Sequence, residues 1–192
     1  PTERALALAP QVAALLDGGR TLVGAATPFE PARSARTFVL GVPDALAAWM
    51  LPALVEALAR EAPLVRVQVR QVLPQHSLAA LDTREIDVAL TDTADVPPDR
   101  WVVAVRAGHP FARRPTLDTY CALEHVVVST GGEALGFADA LLARRNRTRR
   151  VALAVPHFLL SLAVVARTGF AALVPAALLE TYRAALGLQA VE

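Results

Sequence analysis

The sequence contains no lysine and only one cysteine, Cys121, and each shortage excludes a class of chemistry. Without lysine there is no phosphate-cradling glycine loop ending in Lys. All 19 basic residues are arginine, set against 18 acidic ones, for a formal charge of +1. That near-balance argues against a dedicated nucleic-acid surface, which needs a clustered basic excess. The arginine-only set, beside abundant Ala, Val and Leu, reads as coding bias and carries no functional weight. A single cysteine excludes an internal disulfide framework and points to a cytoplasmic protein. Also missing are a His-Glu-x-x-His zinc helix, paired-cysteine metal ligands and a Gly-x-Ser-x-Gly nucleophile elbow. His76, His109, His125 and His157 are too scattered to suggest a metal cluster. Cys121 lies near His125, and the plainer reading is a small buried hydrophobe. No apolar run is long enough to span a bilayer.

What is present suits a well-filled core: 54% of the residues are hydrophobic and 19% charged, in a chain of one large domain or two small ones. Leu8, Val12 and Leu15 fall at i, i+4 and i+7, which predicts an amphipathic helix over Ala5–Leu16 rather than a secretion signal. The chain opens on Pro1 with no initiator methionine, so a preceding segment is expected. Gly18, Gly19, Gly24, Pro28, Pro31 and Ser34 then read as a linker.

Thr37–Val42 predicts a strand closed by Pro43, with Asp44 as a helix N-cap. Leu51, Leu54, Val55 and Leu58 mark the following helix, which ends before Pro63. Leu64–Val72 alternates and predicts a half-buried strand. Ser77 is placed as the cap of a short helix through Leu81, followed by a strand over Ile86–Leu90. This order implies a parallel sheet with right-handed crossovers. A hinge is expected at Thr91–Pro98. Beyond it come strand Trp101–Arg106, turn Ala107–Pro110, a short helix capped by Asp118, and strand His125–Ser129. After a Gly131–Gly132 turn, the pattern gives helix Ala134–Arg144, strand Val151–Val155, helix Phe158–Arg167, strand Phe170–Val174 and helix Pro175–Leu186.

Ligands of open α/β sheets bind at the C-terminal ends of strands. Three turns stand there: Pro43–Asp44, Ser129–Thr130 and Pro156–His157–Phe158. Each residue has a plainer role as a cap or helix-start residue. Their shared position after a strand is what makes them candidates. Phe158 and Trp101 read as core before they read as a ligand platform.

Several segments resemble the effector-binding domain of LysR-type bacterial transcriptional regulators. They are Arg36-Thr37-Phe38-Val39-Leu40-Gly41 with Asp44, Leu51-Pro52-Ala53-Leu54 with Glu61-Ala62-Pro63, and Leu81-Asp82-Thr83-Arg84-Glu85-Ile86-Asp87-Val88-Ala89-Leu90. Arg106-Ala107-Gly108-His109-Pro110, Val155-Pro156-His157-Phe158 and Val174-Pro175 continue the series in order across Arg36–Pro175. The likeness is to the branch that senses aromatic compounds and small organic acids.

That resemblance implies an α/β fold with two lobes of the type 2 periplasmic-binding-protein kind and parallel-rich sheets. A small organic effector, aromatic or carboxylic, is then held between the lobes by Asp44, Ala45, Ser129, Thr130, His157 and Phe158. No catalytic residue, cofactor or metal is called for. The implied partners are the effector, a second copy in a side-by-side antiparallel dimer, and in the full-length protein a tetramer. DNA is contacted only through an N-terminal helix-turn-helix that these residues lack, and no membrane is involved. The implied boundaries are a linker-helix remnant over 1–17, a linker over 18–35, lobe I over 36–93, lobe II over 94–187 and a return toward lobe I from 188 to 192. Three departures stand out: the direct run of Val96-Pro97-Pro98 into Asp99-Arg100-Trp101, the short return after Leu188, and Gly169 where the branch often carries an acidic residue. The rival readings are a periplasmic solute-binding protein and, from another class, a dehydratase or transferase on similar lobes.

Overall fold

A computed structural model describes residues 2–26, 29–91 and 100–192, with the backbone alone for residues 20–26 and Phe137. The expected hinge, apart from Thr91, and the Pro98–Asp99 junction lie outside the described residues. The chain forms two compact units, Pro1–Thr37 with Glu56–Arg66, and Phe38–Val55 with Val67–Glu192.

The first unit contains helix α1 (Glu3–Ala26), whose Ala5 N–H donates to the Thr2 hydroxyl at 3.3 Å. The helix runs through Gly18 and Gly19, so the linker expected from residue 18 is helical as far as Ala26. Each glycine costs a helix only about 1 kcal/mol, and extending a formed helix is far easier than starting one. Leu8, Val12 and Leu15, the predicted apolar stripe, are all exposed.

The larger unit holds most of the sheet structure. Strand β1 (Thr37–Val42), helix α2 (Asp44–Glu61), strand β2 (Arg66–Gln71), helix α3 (Ser77–Asp82) and strand β3 (Val88–Ala89) come first in the chain. The three strands form a sheet in the order β2-β1-β3, with β1 and β3 parallel and Leu40 opposite Val88. Strand β3 is shorter than Ile86–Leu90 because Ile86 turns back to the Ala80 carbonyl. Asp87 then supports β1, its carboxylate accepting from the Val39 N–H at 2.7 Å. Ser77 is not the cap of α3: it is the first helical residue, and its hydroxyl donates to the Pro74 carbonyl.

Strand β4 (Trp101–Arg106), helix α4 (Leu117–Cys121), strand β5 (Glu124–Val128), helix α5 (Phe137–Ala143), strand β6 (Arg150–Val155), helix α6 (Phe158–Arg167), strand β7 (Ala171–Pro175), helix α7 (Ala176–Leu186) and strand β8 (Leu188–Val191) follow. Their five strands lie in the order β6-β5-β7-β4-β8. β5 runs parallel to β6 and β7, while β4 is antiparallel to β7 and β8. The sheet is therefore mixed. Residues Leu188–Val191, expected to start a return to the first lobe, pair with β4 in this sheet. Gly187 permits the reversal, closing α7 in the left-handed conformation at φ +65°.

The main core gathers Val102, Ala104, Val126, Val155 and Val174 from the strands with Leu162, Val165, Leu178 and Leu179 from α6 and α7. Helix α4 is capped by Thr116, not Asp118: the Thr116 hydroxyl accepts from the Thr119 N–H, and Thr119 returns the bond. Helix α5 starts three residues later than Ala134. Gly136 stays extended, and its N–H donates to the Asp139 carboxylate at 2.7 Å.

Candidate functional site

The turns after β1 and β6 meet. Asp44 does not cap its own helix; the Pro43 carbonyl opens α2 by accepting from the Ala47 N–H. The Asp44 carboxylate crosses instead to α6, where Oδ2 accepts from the Phe158 N–H at 2.6 Å. His157 occupies the N-cap position of α6 without using its own side chain as a cap. An acceptor from elsewhere in the chain thus satisfies an N–H that helix geometry leaves open. The other carboxylate oxygen, Oδ1, lies 3.4 Å from His157 Nδ1. The His157 side chain is 48% exposed and that of Asp44 23%.

The neighbouring residues anchor this contact. Ala45, Ala48 and Phe158 are half-buried against the main core. The Tyr182 hydroxyl of α7 donates to the Ala48 carbonyl at 2.9 Å, fixing the first turns of α2. Phe158 also meets Trp101, with ring centroids 5.8 Å apart and planes tilted by 56°. The two rings line a small cavity of about 70 Å³ with Val126, Val128, Leu173 and Arg149.

The remaining candidates are placed differently. Ser129 lies beside the end of β6, its N–H donating to the Val155 carbonyl, but its hydroxyl is committed to its own turn. That hydroxyl donates to Glu133 Oε2 at 2.6 Å and accepts from the Glu133 N–H. The Ser129 bond holds the Glu133 carboxyl below the usual carboxylate range. Thr130 is exposed and stands on the rim of an open recess of about 350 Å³. Gln71, Leu73, His76 and Glu85 also line the recess. Asp44, Ala45, His157 and Phe158 therefore form one constellation; Ser129 is next to it with its hydroxyl spent, and Thr130 belongs to the recess. Sequence reasoning missed Gln71, His76 and Glu85 as lining residues; they lie at the end of β2, in the 3-10 turn before α3 and in the bend before β3, with no periodic signal.

Two other histidines are structural. His109 is buried; its Nδ1 accepts from the Phe111 N–H, and its Nε2 donates to the Gly169 carbonyl at 3.2 Å. This accounts for the Gly108-His109-Pro110 turn without a ligand. His125 is fully buried, and its Nε2 donates to the Tyr120 carbonyl at 2.9 Å. Burial pushes its pKa down to about 4. Its other nitrogen, Nδ1, has no hydrogen-bond partner, so the partly buried Cys121 thiol is not paired with it. Among the described residues no group of three or more His, Cys, Asp or Glu side chains can hold a metal ion. No described helix is long and apolar enough to cross a membrane.

Comparison with known proteins places this architecture. The family model for the LysR substrate binding domain matches residues 31–192. The chain is 31% identical over 185 residues to the HTH-type transcriptional activator NagR of a Ralstonia species, covering 91% of this chain and 62% of NagR. It thus spans less than two thirds of that relative's length. Among solved structures, the probable transcriptional regulator PA0477 from Pseudomonas aeruginosa superposes with a TM-score of 0.75 at 35% identity, over 99% of this chain and 67% of the other. The BenM effector binding domain with its effector benzoate shares the fold at 18% identity and a TM-score of 0.55, over 81% of this chain and 76% of BenM's. With the family model covering residues 31–192, most of the chain, this protein belongs to the LysR substrate-binding domain family.

Proposed function

We propose that this domain is the sensing part of a LysR-type transcriptional regulator and holds a small organic effector, an aromatic or carboxylic acid, at the turns that follow its strands. The observation that carries this reading is the direct contact of Asp44, after β1, with His157 and Phe158, after β6. These strand-end turns are where open α/β sheets place ligands. The benzoate bound by BenM, which shares the fold, is of the proposed chemical class.

The role is binding, not turnover, in a cytoplasmic protein. An effector that binds one arrangement of α2 and α6 better than another shifts their populations, and it acts only through that difference in affinity. The full-length protein reads DNA through an N-terminal domain and works as a dimer or tetramer. Calorimetric titration of the domain with benzoate should show saturable binding that His157→Ala weakens without unfolding the protein. In the full-length regulator the same substitution should blunt the effector response and leave basal DNA binding intact. The domain alone should give no specific, salt-sensitive footprint on DNA. If no aromatic or carboxylic acid binds, or the acid is turned over, the reading fails.

A further inference from the structure

The formal charge of +1 hides an uneven distribution. Residues 111–150 hold seven arginines against four acidic residues, and the rest of the chain holds twelve against fourteen. Coding bias accounts for arginine in place of lysine, but not for where the arginines stand. Three of the seven are spent on the fold: Arg147 pairs with Asp118, Arg149 with Asp139 and Arg150 with Glu124. Arg113, Arg114, Arg144 and Arg145 are exposed, and their side chains make no ion pair or hydrogen bond among the described residues.

Helix α4 ties the two arginine turns together. Its Asp118 holds Arg147 of the turn after α5, and its Thr119 hydroxyl donates to the Arg114 carbonyl at 3.1 Å. The turn after α5 is firmly built. The Arg145 and Arg147 N–H groups both donate to the Leu142 carbonyl, at 2.9 and 3.0 Å, and Asn146 takes the left-handed conformation at φ +52°. Asparagine is one of the few residues that visit this conformation readily. The turns lead to the N-terminal ends of β5 and β6, which run parallel. The four unpaired guanidiniums therefore stand at the edge of the sheet opposite His157, which follows β6. The helix dipole favours Arg144 and Arg145 at the end of α5, but it gives Arg113 and Arg114 no role.

We infer that this face rests on the phosphate backbone of duplex DNA without reading its sequence. The planar fork of arginine suits phosphate oxygens, and unpaired like charges repel one another until a polyanion relieves them. None of the four side chains lines either cavity described above, which favours an extended polyanion over a small one. The inference rests on the function proposed above only in taking duplex DNA as the polyanion within reach. Phosphate contacts position a protein but carry no sequence information, so this face leaves no specific footprint.

The test is fluorescence anisotropy of the protein with two labelled duplexes of unrelated sequence. Both should bind equally, and four phosphate contacts should make the affinity fall about a hundredfold between about 50 and 200 mM salt. Arg113→Gln, Arg114→Gln, Arg144→Gln and Arg145→Gln combined should abolish binding at the lower salt. Arg33→Gln, Arg60→Gln, Arg106→Gln and Arg183→Gln combined remove the same charge elsewhere and should leave binding nearly intact. Equal losses in the two variants would tie binding to net charge and overturn the patch. If the first variant fails to fold, Arg144→Gln with Arg145→Gln alone should halve the salt dependence, and an unchanged dependence overturns the inference. Tighter binding of polyglutamate than of either duplex would assign the face to an acidic protein and overturn the DNA contact. Absence of duplex binding at low salt overturns it too, and leaves effector sensing to be decided by the benzoate titration.

Discussion

Asp139 of α5 grips Arg149 through both carboxylate oxygens, Oδ1 at 2.8 Å from Nε and Oδ2 at 2.7 Å from Nη2. The guanidinium is nearly fully buried, its side chain 2% exposed, and it also donates to the Tyr120 hydroxyl at 2.9 Å. Bidentate geometry suits this pair, since the planar fork of arginine matches two carboxylate oxygens. A pair of this kind adds little net stability over a well-packed apolar pair, yet removing one partner leaves the other buried and uncompensated.

Asp139→Ala is therefore expected to destabilise the domain by about 3 kcal/mol, read from urea denaturation midpoints. Hydrogen bonding from Arg149 holds the Asp139 carboxyl below its ordinary range. The sign follows. The stabilisation is fully present above the pKa of a free aspartate and is lost as pH falls through the lowered folded value. An alanine variant as stable as the parent would show that the buried pair is dispensable.

His125 gives a second pH dependence, in a higher window. Burial lowers its pKa from 6.5 to about 4, so the fold excludes the proton that the unfolded chain accepts. Stability should be full above about pH 6.5 and fall steadily down to about pH 4, by a total of about 3 kcal/mol. The Nδ1 atom is buried without a hydrogen-bond partner, and burial outweighs the support that the Tyr120 carbonyl and the Asp139 carboxylate give a charged ring. Denaturation midpoints between pH 4 and 7 should show this slope, and His125→Gln should flatten it. An unchanged slope in the variant would assign the effect to other groups.

Some elements were legible from local pattern alone. Strand β4 spans Trp101–Arg106 and helix α6 spans Phe158–Arg167, as the sequence predicts, because their apolar residues face one core and Pro156 marks the boundary. Helix α1 runs past its predicted end because glycine only weakens a helix. The roles of Asp44 and Asp118 were misread for another reason. An acidic residue at a helix start looks like a cap in either case, and the partner that decides the matter for Asp44 is Phe158, 114 residues along the chain. The recess residues Gln71, His76 and Glu85 come from a strand end, a 3-10 turn and a bend, which leave no repeating signal.

Gly41 on β1 is a close-packed position. A Cβ there would run into Ile86 Cδ1 and stand 3.3 Å from both Ile86 Cγ2 and Val72 Cγ2. Ile86 is itself buried, so it has little room to yield. Gly41→Ala should cost about 1–3 kcal/mol through overpacking. Adding Ile86→Val removes the clashing methyl, and the double variant should be more stable than the sum of the single changes predicts. Additive thermal shifts would show that the two residues do not compete for space.

The proposed dimer makes the last prediction. Helix α2 carries no fully buried residue, and Trp49 and Val55 remain 45% and 58% exposed. On α5, Leu141 is 48% exposed. Large exposed apolar side chains are places where an interaction surface can form. A two-fold antiparallel arrangement sets α2 of one copy against α5 of the other, so each contact is made twice and the buried area should exceed about 1,000 Å². Light scattering at high micromolar concentration should then report a dimer, and Val55→Glu or Leu141→Glu should each shift it to monomer with unchanged circular dichroism. Helix α1 offers a competing surface through Leu8, Val12 and Leu15, all exposed. Leu15→Glu separates the two. If that change abolishes the dimer while Val55→Glu and Leu141→Glu leave it intact, association runs through α1 and the α2–α5 pairing is wrong.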